Sequence, residues 1–180
     1  YLSSCKRMIL PGVIHYIPEK QFDVNLHNDD LYHFLYIGAF FQRDNPEILC
    51  KLIEELLRYN TKIHIADRFS NNSDSLRWIQ HLKLIDKRNH IIFYNVIGDQ
   101  EIKNLCGNAH AFLLTRKNMR SEIFSFPTRV VEYLQYRGII ISSKVPDLNK
   151  YFSHQNDIYF LSEDIPTSVT NIMNLLHSYR

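Results

Sequence analysis

A chain of 180 residues with 45% hydrophobic and 13% aromatic residues can bury one ordinary globular core and is too short for two comfortable domains. Its 21 basic and 19 acidic residues leave a net charge of only +2, which argues against a nucleic-acid partner because no basic stripe is formed. Three scattered cysteines without CxxC spacing argue against a disulfide framework or a zinc site, and no apolar run reaches the roughly 18–20 residues that a membrane span needs.

These properties together lead us to expect a cytoplasmic protein with reduced thiols and one domain over residues 1–180. The chain opens at Tyr1 and not at a methionine. We therefore expect either a piece of a longer protein or a processed product.

Short β-favouring runs alternate with helical patterns along the chain. Residues 34–40 predict a β-strand, with Gly38 at the point where the strand meets a loop. Residues 46–59 predict a helix with a wide apolar stripe, capped by Asp44 or Asn45, with Pro46 in its first turn. The later predicted elements are strand 62–66, helix 75–85, strand 90–96, helix 99–109 capped by Asp99, strand 110–115, a helix from about Pro127, a strand within 138–143, helix 146–152, strand 157–161 and helix 166–179.

This alternation predicts parallel βαβ crossovers and a layered α/β fold. In an open parallel sheet, ligands bind outside the carboxyl ends of the strands. Three loops at that edge carry suitable groups. The first has Gly38 and Arg43, the second has backbone groups at Val96 and Gly98, and the third has the cations Arg116, Lys117 and Arg120.

The third loop leads into the segment FSFPTRVVEYLQYRGIIISS, residues 124–143, which places a glutamate inside a helix that otherwise looks built for burial. We expect Val130, Val131, Tyr133 and Leu134 to face apolar surroundings. The free N–H groups at the start of this helix would donate hydrogen bonds to phosphate oxygens, and the Thr128 hydroxyl could assist. A carboxylate at Glu132 would suit paired hydroxyls, such as those of a ribose.

Other chemistry is poorly supported by the residues. We expect His64 and His110 to be packed and not catalytic, because neither has an Asp, Ser or Cys in a nucleophile arrangement nearby. The nine histidines show no HxH or HExxH spacing, and no Gly-rich phosphate loop occurs. We therefore expect neither a metal ion nor a cofactor.

Taken in order, these segments resemble the C-terminal, donor-binding domain of GT-B glycosyltransferases, most like family 4. The resemblance rests on MILPGVIHYIP, FLYIGAFFQRDNPEILCKLIEEL, IIFYNVIGDQEIKNLCGNAHAFLLTRKN and above all FSFPTRVVEYLQYRGIIISS, and it covers most of the chain. It implies a Rossmann-like three-layer α/β/α domain with a mainly parallel sheet, which is half of a GT-B fold.

The resemblance implies that Glu132 takes the ribose hydroxyls of a nucleotide sugar and that the backbone at Phe126, Pro127 and Thr128 holds the diphosphate. Arg43 and Arg116 would stabilise the leaving diphosphate. The family needs no metal. It further implies retaining transfer to a glycan or lipid-linked acceptor in cell-surface polysaccharide synthesis, with peripheral contact at the inner membrane face. An N-terminal acceptor domain would be missing, so this chain alone would be inactive.

Two departures from the family pattern keep a second hypothesis open. Phe124 stands where the family often has a first glutamate, with Glu122 two residues away, and Ala39 stands beside Gly38 where an arginine is usual. These departures favour a non-catalytic α/β module with an assembly or regulatory role. A nucleotide-sugar epimerase and a flavodoxin-like or receiver-like domain are weaker alternatives, because no residue specifically indicates either.

Overall fold

The computed structural model describes residues 30–38, 44–67, 73–95, 98–117, 128–136, 138–145, 148–155 and 157–178. Six strands form one sheet: β1 (Tyr32–Gly38), β2 (Thr61–Asp67), β3 (Ile91–Asn95), β4 (Ala111–Leu114), β5 (Ile139–Ser142) and β6 (Ile158–Phe160). Six helices alternate with them: α1 (Pro46–Leu56), α2 (Ser73–Ile85), α3 (Asp99–Asn108), α4 (Thr128–Tyr133), α5 (Leu148–Tyr151) and α6 (Ile165–Ser178).

The sheet is parallel throughout and has the order β3-β2-β1-β4-β5-β6. Strand β1 is buried on both faces, which is why its sequence is a nearly continuous apolar run without polar alternation. The chain folds outward from β1 in one direction through β2 and β3, and then returns to add β4 on the other side. The boundary between β1 and β4 is therefore the topological switch point of the sheet.

Two buried clusters show which helices cover each face. Residues of α1, α2 and α6 pack with Phe34 and Tyr36 of β1, whereas residues of α3, α4 and α5 pack with Leu35 and Ile37. The predicted three-layer α/β/α architecture with a parallel sheet is confirmed. Because α1 follows β1 on one face and α4 follows β4 on the other, the switch point is the place where an open parallel sheet of this kind has its ligand crevice.

Local sequence signals explain most helix boundaries. The Asn45 side chain accepts a hydrogen bond from the Ile48 N–H at 3.2 Å, and Pro46 occupies the first turn of α1, so Asn45 and not Asp44 is the cap. The expected Asp99 cap of α3 is wrong: the cap is Gly98, which supplies no side-chain hydrogen bond, and Asp99 is the first helical residue.

Helix α4 is shorter than the sequence predicts. It ends at Tyr133, and the chain then continues in tight turns. Two i→i−3 hydrogen bonds form these turns: the Gln135 N–H donates to the Glu132 carbonyl at 3.2 Å, and the Tyr136 N–H donates to the Tyr133 carbonyl at 2.9 Å. Leu134 is 42% exposed, so the expectation that it faces apolar surroundings is wrong, while Val130 and Tyr133 are fully buried as predicted.

Gly138, at the entry to β5, has a specific role in packing. A Cβ on Gly138 would lie 2.6 Å from Cε2 of Phe112 and 2.9 Å from the Ala109 carbonyl oxygen. Gly138 therefore allows the chain to enter β5 directly against β4, where a larger residue would displace the Phe112 ring.

Candidate functional site

The carboxyl ends of β1 and β4 lie side by side at the switch point. Tyr36 of β1 is opposite Leu113 of β4, so Gly38 and Thr115 each lie two residues further on, toward the same edge. Beyond this edge the described chain resumes at Asp44, which forms an isolated antiparallel bridge with Arg116. The Asn45 N–H donates to the Thr115 carbonyl at 2.6 Å and closes this junction.

Several predicted site residues lie outside the described residues. These are Arg43, Val96, Phe126 and Pro127, together with Phe124, Glu122 and Arg120. Thr128 is the first residue of α4, and its side chain is also outside the description. The remaining predicted residues are Gly38, Arg116, Lys117, Gly98 and Glu132, and the structure describes all five.

The space that a side chain at position 38 would need is occupied by other side chains of the protein. A Cβ at this position would lie 2.2 Å from the Tyr36 hydroxyl and 2.5 Å from Oδ2 of Asp44. The Tyr36 hydroxyl donates to Oδ2 of Asp44 at 2.7 Å directly over the glycine. The close approach that a glycine permits is therefore used internally on the α1 side of the sheet.

Arg116 is placed at the switch point by the end of β4. Its Nε lies 3.7 Å from Oδ1 of Asp44, and both side chains are largely buried. The backbone N–H of Arg116 donates to the Ser143 hydroxyl at 2.9 Å, and this hydroxyl donates to the backbone carbonyl of Arg116 at 3.2 Å. Lys117 is half-buried beside it. The structure thus brings one predicted cation, Arg116, to the crevice with an acid beside it.

Glu132 lies on α4 with a well-exposed side chain. Its Oε2 is 3.9 Å from Nη1 of Arg129 one turn earlier, and 59% of the Glu132 side chain is exposed. The expectation of an acid on the buried side of the helix is wrong, because Val130 and Tyr133 carry the apolar stripe. An exposed ion pair at this distance contributes less than about 1 kcal/mol, so a ligand could recruit the carboxylate easily.

The charge of Glu132 also acts on groups packed between α3 and α4. Burial raises the pKa of the Cys106 thiol to about 12, and the Glu132 carboxylate adds to this shift while Arg129 opposes it. Burial likewise raises the pKa of the Tyr136 phenol, with smaller contributions from Cys106 and Glu132. The Glu132 charge therefore acts on groups of both α3 and the turn after α4, and helices α3 and α4 both begin at the carboxyl edge.

Tyr133 supplies a fully buried hydroxyl near the same crevice. Its ring stacks on Phe112 with centroids 4.4 Å apart, and among the described residues its hydroxyl has no hydrogen-bond partner. Burial raises the pKa of this phenol; Arg129 opposes the shift and Asp44 adds to it. Side chains on a helix lean toward its N-terminus, so the hydroxyl faces the carboxyl edge.

Sequence reasoning missed Tyr36, considered Tyr133 only as a packed residue and considered Asp44 only as a helix cap. Nothing local in the sequence marks them, because their roles depend on contacts between β1, β4 and α4. Within the described part of the chain, no cluster of three or more His, Cys, Asp or Glu side chains could hold a metal ion. None of the described helices combines the length and the apolar character that crossing a membrane requires.

The family model for glycosyl transferases group 1 matches residues 18–178 of this chain. No protein of curated function is similar enough in sequence to count as a match. Many solved structures do match, all of those compared below 25% identity, so they establish the fold alone.

Three of these structures illustrate the similarity. The apo form of the lipopolysaccharide outer core galactosyltransferase WaaB is 20% identical, with a TM-score of 0.63 over 84% of this chain and 42% of its own. The C-terminal domain of LpcC, a group 1 glycosyl transferase from Francisella tularensis, is 11% identical, with a TM-score of 0.64 over 82% of this chain and 75% of its own.

The third is Anabaena Alr3699/HepE in complex with UDP-glucose. It is 10% identical, with a TM-score of 0.59 over 83% of this chain and 40% of its own. The chain therefore spans about two fifths of the length of WaaB and HepE and most of the isolated LpcC domain.

Proposed function

The chain belongs to the glycosyl transferases group 1 family, and we propose that it is the donor-binding half of a GT-B glycosyltransferase of the family 4 type, which transfers a sugar from a nucleotide-diphosphate sugar. The ligand would lie at the carboxyl edge of the sheet, in the crevice between α1 and α4. The observation that carries this proposal is the position of Glu132. The strand order places its helix beside the switch point, and its carboxylate is exposed and weakly paired.

In this proposal Glu132 accepts hydrogen bonds from the two ribose hydroxyls of the donor. A carboxylate with two oxygens can accept both at once, and charged acceptors form the stronger class of hydrogen bond. The backbone at Phe126, Pro127 and Thr128 would hold the diphosphate at the start of α4, as the family resemblance implies. Val96 and Gly98 would border the nucleoside, because the loop after β3 ends beside α3.

The cations of the site would stabilise charge on the leaving diphosphate. Arg116 is the main candidate, because it lies at the end of β4. Lys117 beside it and Arg43 are the other two candidates. No metal ion is expected in this role, because the family resemblance implies none. Transfer with retention would need an acceptor hydroxyl placed against the donor by a second domain.

The finer parts of the proposal follow the family resemblance. The acceptor would be a glycan or a lipid-linked saccharide in cell-surface polysaccharide synthesis, reached in the cytoplasm or at the inner membrane face. An N-terminal acceptor domain would complete the enzyme. We expect this chain alone to bind a nucleotide weakly and to transfer little or no sugar.

One observation favours a second candidate, a non-catalytic module of the same fold. Tyr36 and Asp44 fill the space at Gly38, and Asp44 balances the charge of Arg116. A site whose cation is already paired binds an anion less strongly than one with a free cation. Such a module would keep the fold and bind no nucleotide.

Calorimetric titration with UDP, GDP and ADP tests the proposal. We expect one of these nucleotides to bind, and Glu132→Ala to weaken that binding at least tenfold, because two hydrogen bonds to a charged acceptor are lost. Glu55→Ala is the matched control: Glu55 forms the same i,i+3 pair with an arginine, Arg58, at the opposite edge of the sheet. Absence of binding by every diphosphate at millimolar concentration would support the non-catalytic module.

A further inference from the structure

The junction between Asp44 and Arg116 is the most tightly built part of the crevice. It joins the segment that enters α1 to the end of β4, through a backbone bridge, the Asn45–Thr115 hydrogen bond and an ion pair. A buried ion pair seldom adds net stability, because desolvating the two charges offsets their attraction. A role beyond stability is therefore a reasonable explanation for this one.

Asp44 is held in place from two directions. The Tyr36 hydroxyl donates to its Oδ2 at 2.7 Å, and the Tyr36 ring is itself fully buried in the core. The carboxylate precedes α1, whose N-terminal partial charge also favours an anion. Asp44 therefore presents Oδ1 to Arg116 from a fixed position.

Arg116 is fixed at its main chain but not along its guanidinium. The Ser143 hydroxyl bonds both its N–H and its carbonyl. Its Nε is buried, and at 3.7 Å from Oδ1 of Asp44 it is too far for a hydrogen bond, with no other partner among the described residues. A guanidinium has five N–H donors in a planar fork, so contact with one acid leaves donors for a second anion.

We propose that Asp44 is a positioning residue for the donor's diphosphate: it orients the Arg116 guanidinium toward the crevice, and Tyr36 in turn orients Asp44. The inference rests on the proposed function, since it requires that a nucleoside diphosphate binds at this edge. Arg116 is the residue that contacts the phosphate. Asp44 acts through it and lowers the cost of ordering a long, flexible side chain on binding.

Two opposing effects decide the sign of this contribution. The Asp44 charge repels a phosphate, which would weaken binding, while its hold on Arg116 strengthens binding. The geometry favours the second effect, because Oδ2 of Asp44 is engaged by the Tyr36 hydroxyl and Oδ1 faces Nε of Arg116, so these partners offset much of the carboxylate charge.

The experiment compares a nucleoside diphosphate with its nucleoside in calorimetric and NMR titrations of the intact chain. The diphosphate is whichever of UDP, GDP and ADP the wild type binds, and the probe for the other arm is uridine, guanosine or adenosine. We expect Asp44→Asn to weaken diphosphate binding about tenfold, equivalent to ~1.4 kcal/mol. Nucleoside binding should stay within about twofold of wild type, because the ribose contact at Glu132 is untouched.

Two further variants keep the test decisive if Asp44→Asn folds poorly. Tyr36→Phe preserves both charges and removes only the hydroxyl that holds Asp44, and it should weaken diphosphate binding in the same direction by a smaller factor. Arg116→Lys keeps the positive charge but has no Nε. If Asp44 acts through Nε, the double variant Asp44→Asn/Arg116→Lys should bind the diphosphate no more weakly than Arg116→Lys alone.

The outcomes separate this inference from the proposed function. If the wild type binds no nucleotide, both are overturned. If Glu132→Ala weakens binding while Asp44→Asn and Tyr36→Phe do not, the function stands and the positioning role is wrong. Tighter diphosphate binding by Asp44→Asn, or an equal loss for diphosphate and nucleoside, would also overturn it, since these outcomes indicate charge repulsion or a general structural effect.

Discussion

Nδ1 of His33 lies 2.9 Å from Nε2 of His64 on the neighbouring strand, with the two rings stacked 5.1 Å apart. The contact belongs to a polar row across the face of the sheet that α3 covers. Nδ1 of His64 is 2.8 Å from the Tyr94 hydroxyl, and Nδ1 of His110 accepts the His33 N–H at 2.9 Å. This row links β3, β2, β1 and the residue that precedes β4.

The His33–His64 contact should contribute to the stability of the fold. Whichever ring donates, the bond requires a proton on one of the two facing nitrogens and none on the other. We expect His64→Leu, which removes this bond and the contact with the Tyr94 hydroxyl, to lower the free energy of unfolding by about 2 kcal/mol.

Urea unfolding followed by circular dichroism measures this loss. His64→Gln should lose less stability, because the glutamine carbonyl can accept a hydrogen bond from a His33 nitrogen that carries a proton. The control is His81→Gln on α2, where His81 bonds Glu54 in a half-exposed pair, and it should cost less than about 1 kcal/mol. A His64→Leu variant as stable as the wild type would contradict the assignment.

Gly38 and Gly98 should respond differently to alanine. At Gly38 a Cβ would lie 2.2 Å from the Tyr36 hydroxyl and 2.5 Å from Asp44, so Gly38→Ala should break their hydrogen bond and cost about 2 kcal/mol. At Gly98 nothing lies within 4 Å of the added Cβ, so Gly98→Ala should cost less than about 1 kcal/mol, mostly from a poorer cap. Thermal unfolding of the two variants distinguishes them, and equal losses would be inconsistent with the described contacts.

The hydroxyls of two fully buried tyrosines should affect the free energy of unfolding in opposite directions. Tyr36→Phe removes a bonded hydroxyl and the hydrogen bond that it donates to Asp44, so we expect a loss of about 1–2 kcal/mol. Tyr133→Phe removes a buried hydroxyl that has no partner among the described residues, so the variant should be as stable as wild type or about 1 kcal/mol more stable. Denaturant unfolding at pH 8 gives both values.

The comparison of the wild type with Tyr133→Phe also predicts an effect of alkaline pH on stability. Because burial raises the pKa of Tyr133, the folded state keeps a proton that the unfolded chain releases above about pH 10, and wild-type stability falls as the pH rises. Tyr133→Phe lacks this loss, so its advantage over wild type should increase from pH 9 to pH 11. A variant less stable than wild type at pH 8 would show that the hydroxyl has a partner in the folded protein.

The sequence predicted much of this architecture because hydrophobic periodicity is a local property. The helix at α1 and its neighbouring strands lie within a few residues of their predicted bounds, and the family match agrees with the resemblance carried by residues 124–143. The packed state of His64 and His110 also followed from the absence of nucleophile partners. Predictions about residues close in sequence succeeded where the signal was apolar periodicity and at the Asn45 cap of α1, whereas the predicted Asp99 cap of α3 was wrong.

Predictions failed where a residue's environment depends on distant segments. The sequence placed Leu134 on the apolar face, but α4 ends at Tyr133 and the following turns expose it. The pairing of Arg116 with Asp44 was not predicted, because the two residues meet only when β1 and β4 become neighbours.

The amino-acid sequence by itself determined the α/β class, the order of the elements and the helix that carries Glu132, because apolar spacing and capping chemistry act over a few residues. Only the tertiary structure decided that Gly38 makes room for Tyr36 and Asp44, that Glu132 is exposed, and that His33 meets His64. The physical reason is the pairing of β1 with β2 on one side and with β4 on the other. It brings distant side chains to within hydrogen-bonding distance, and no local pattern records which ones will meet.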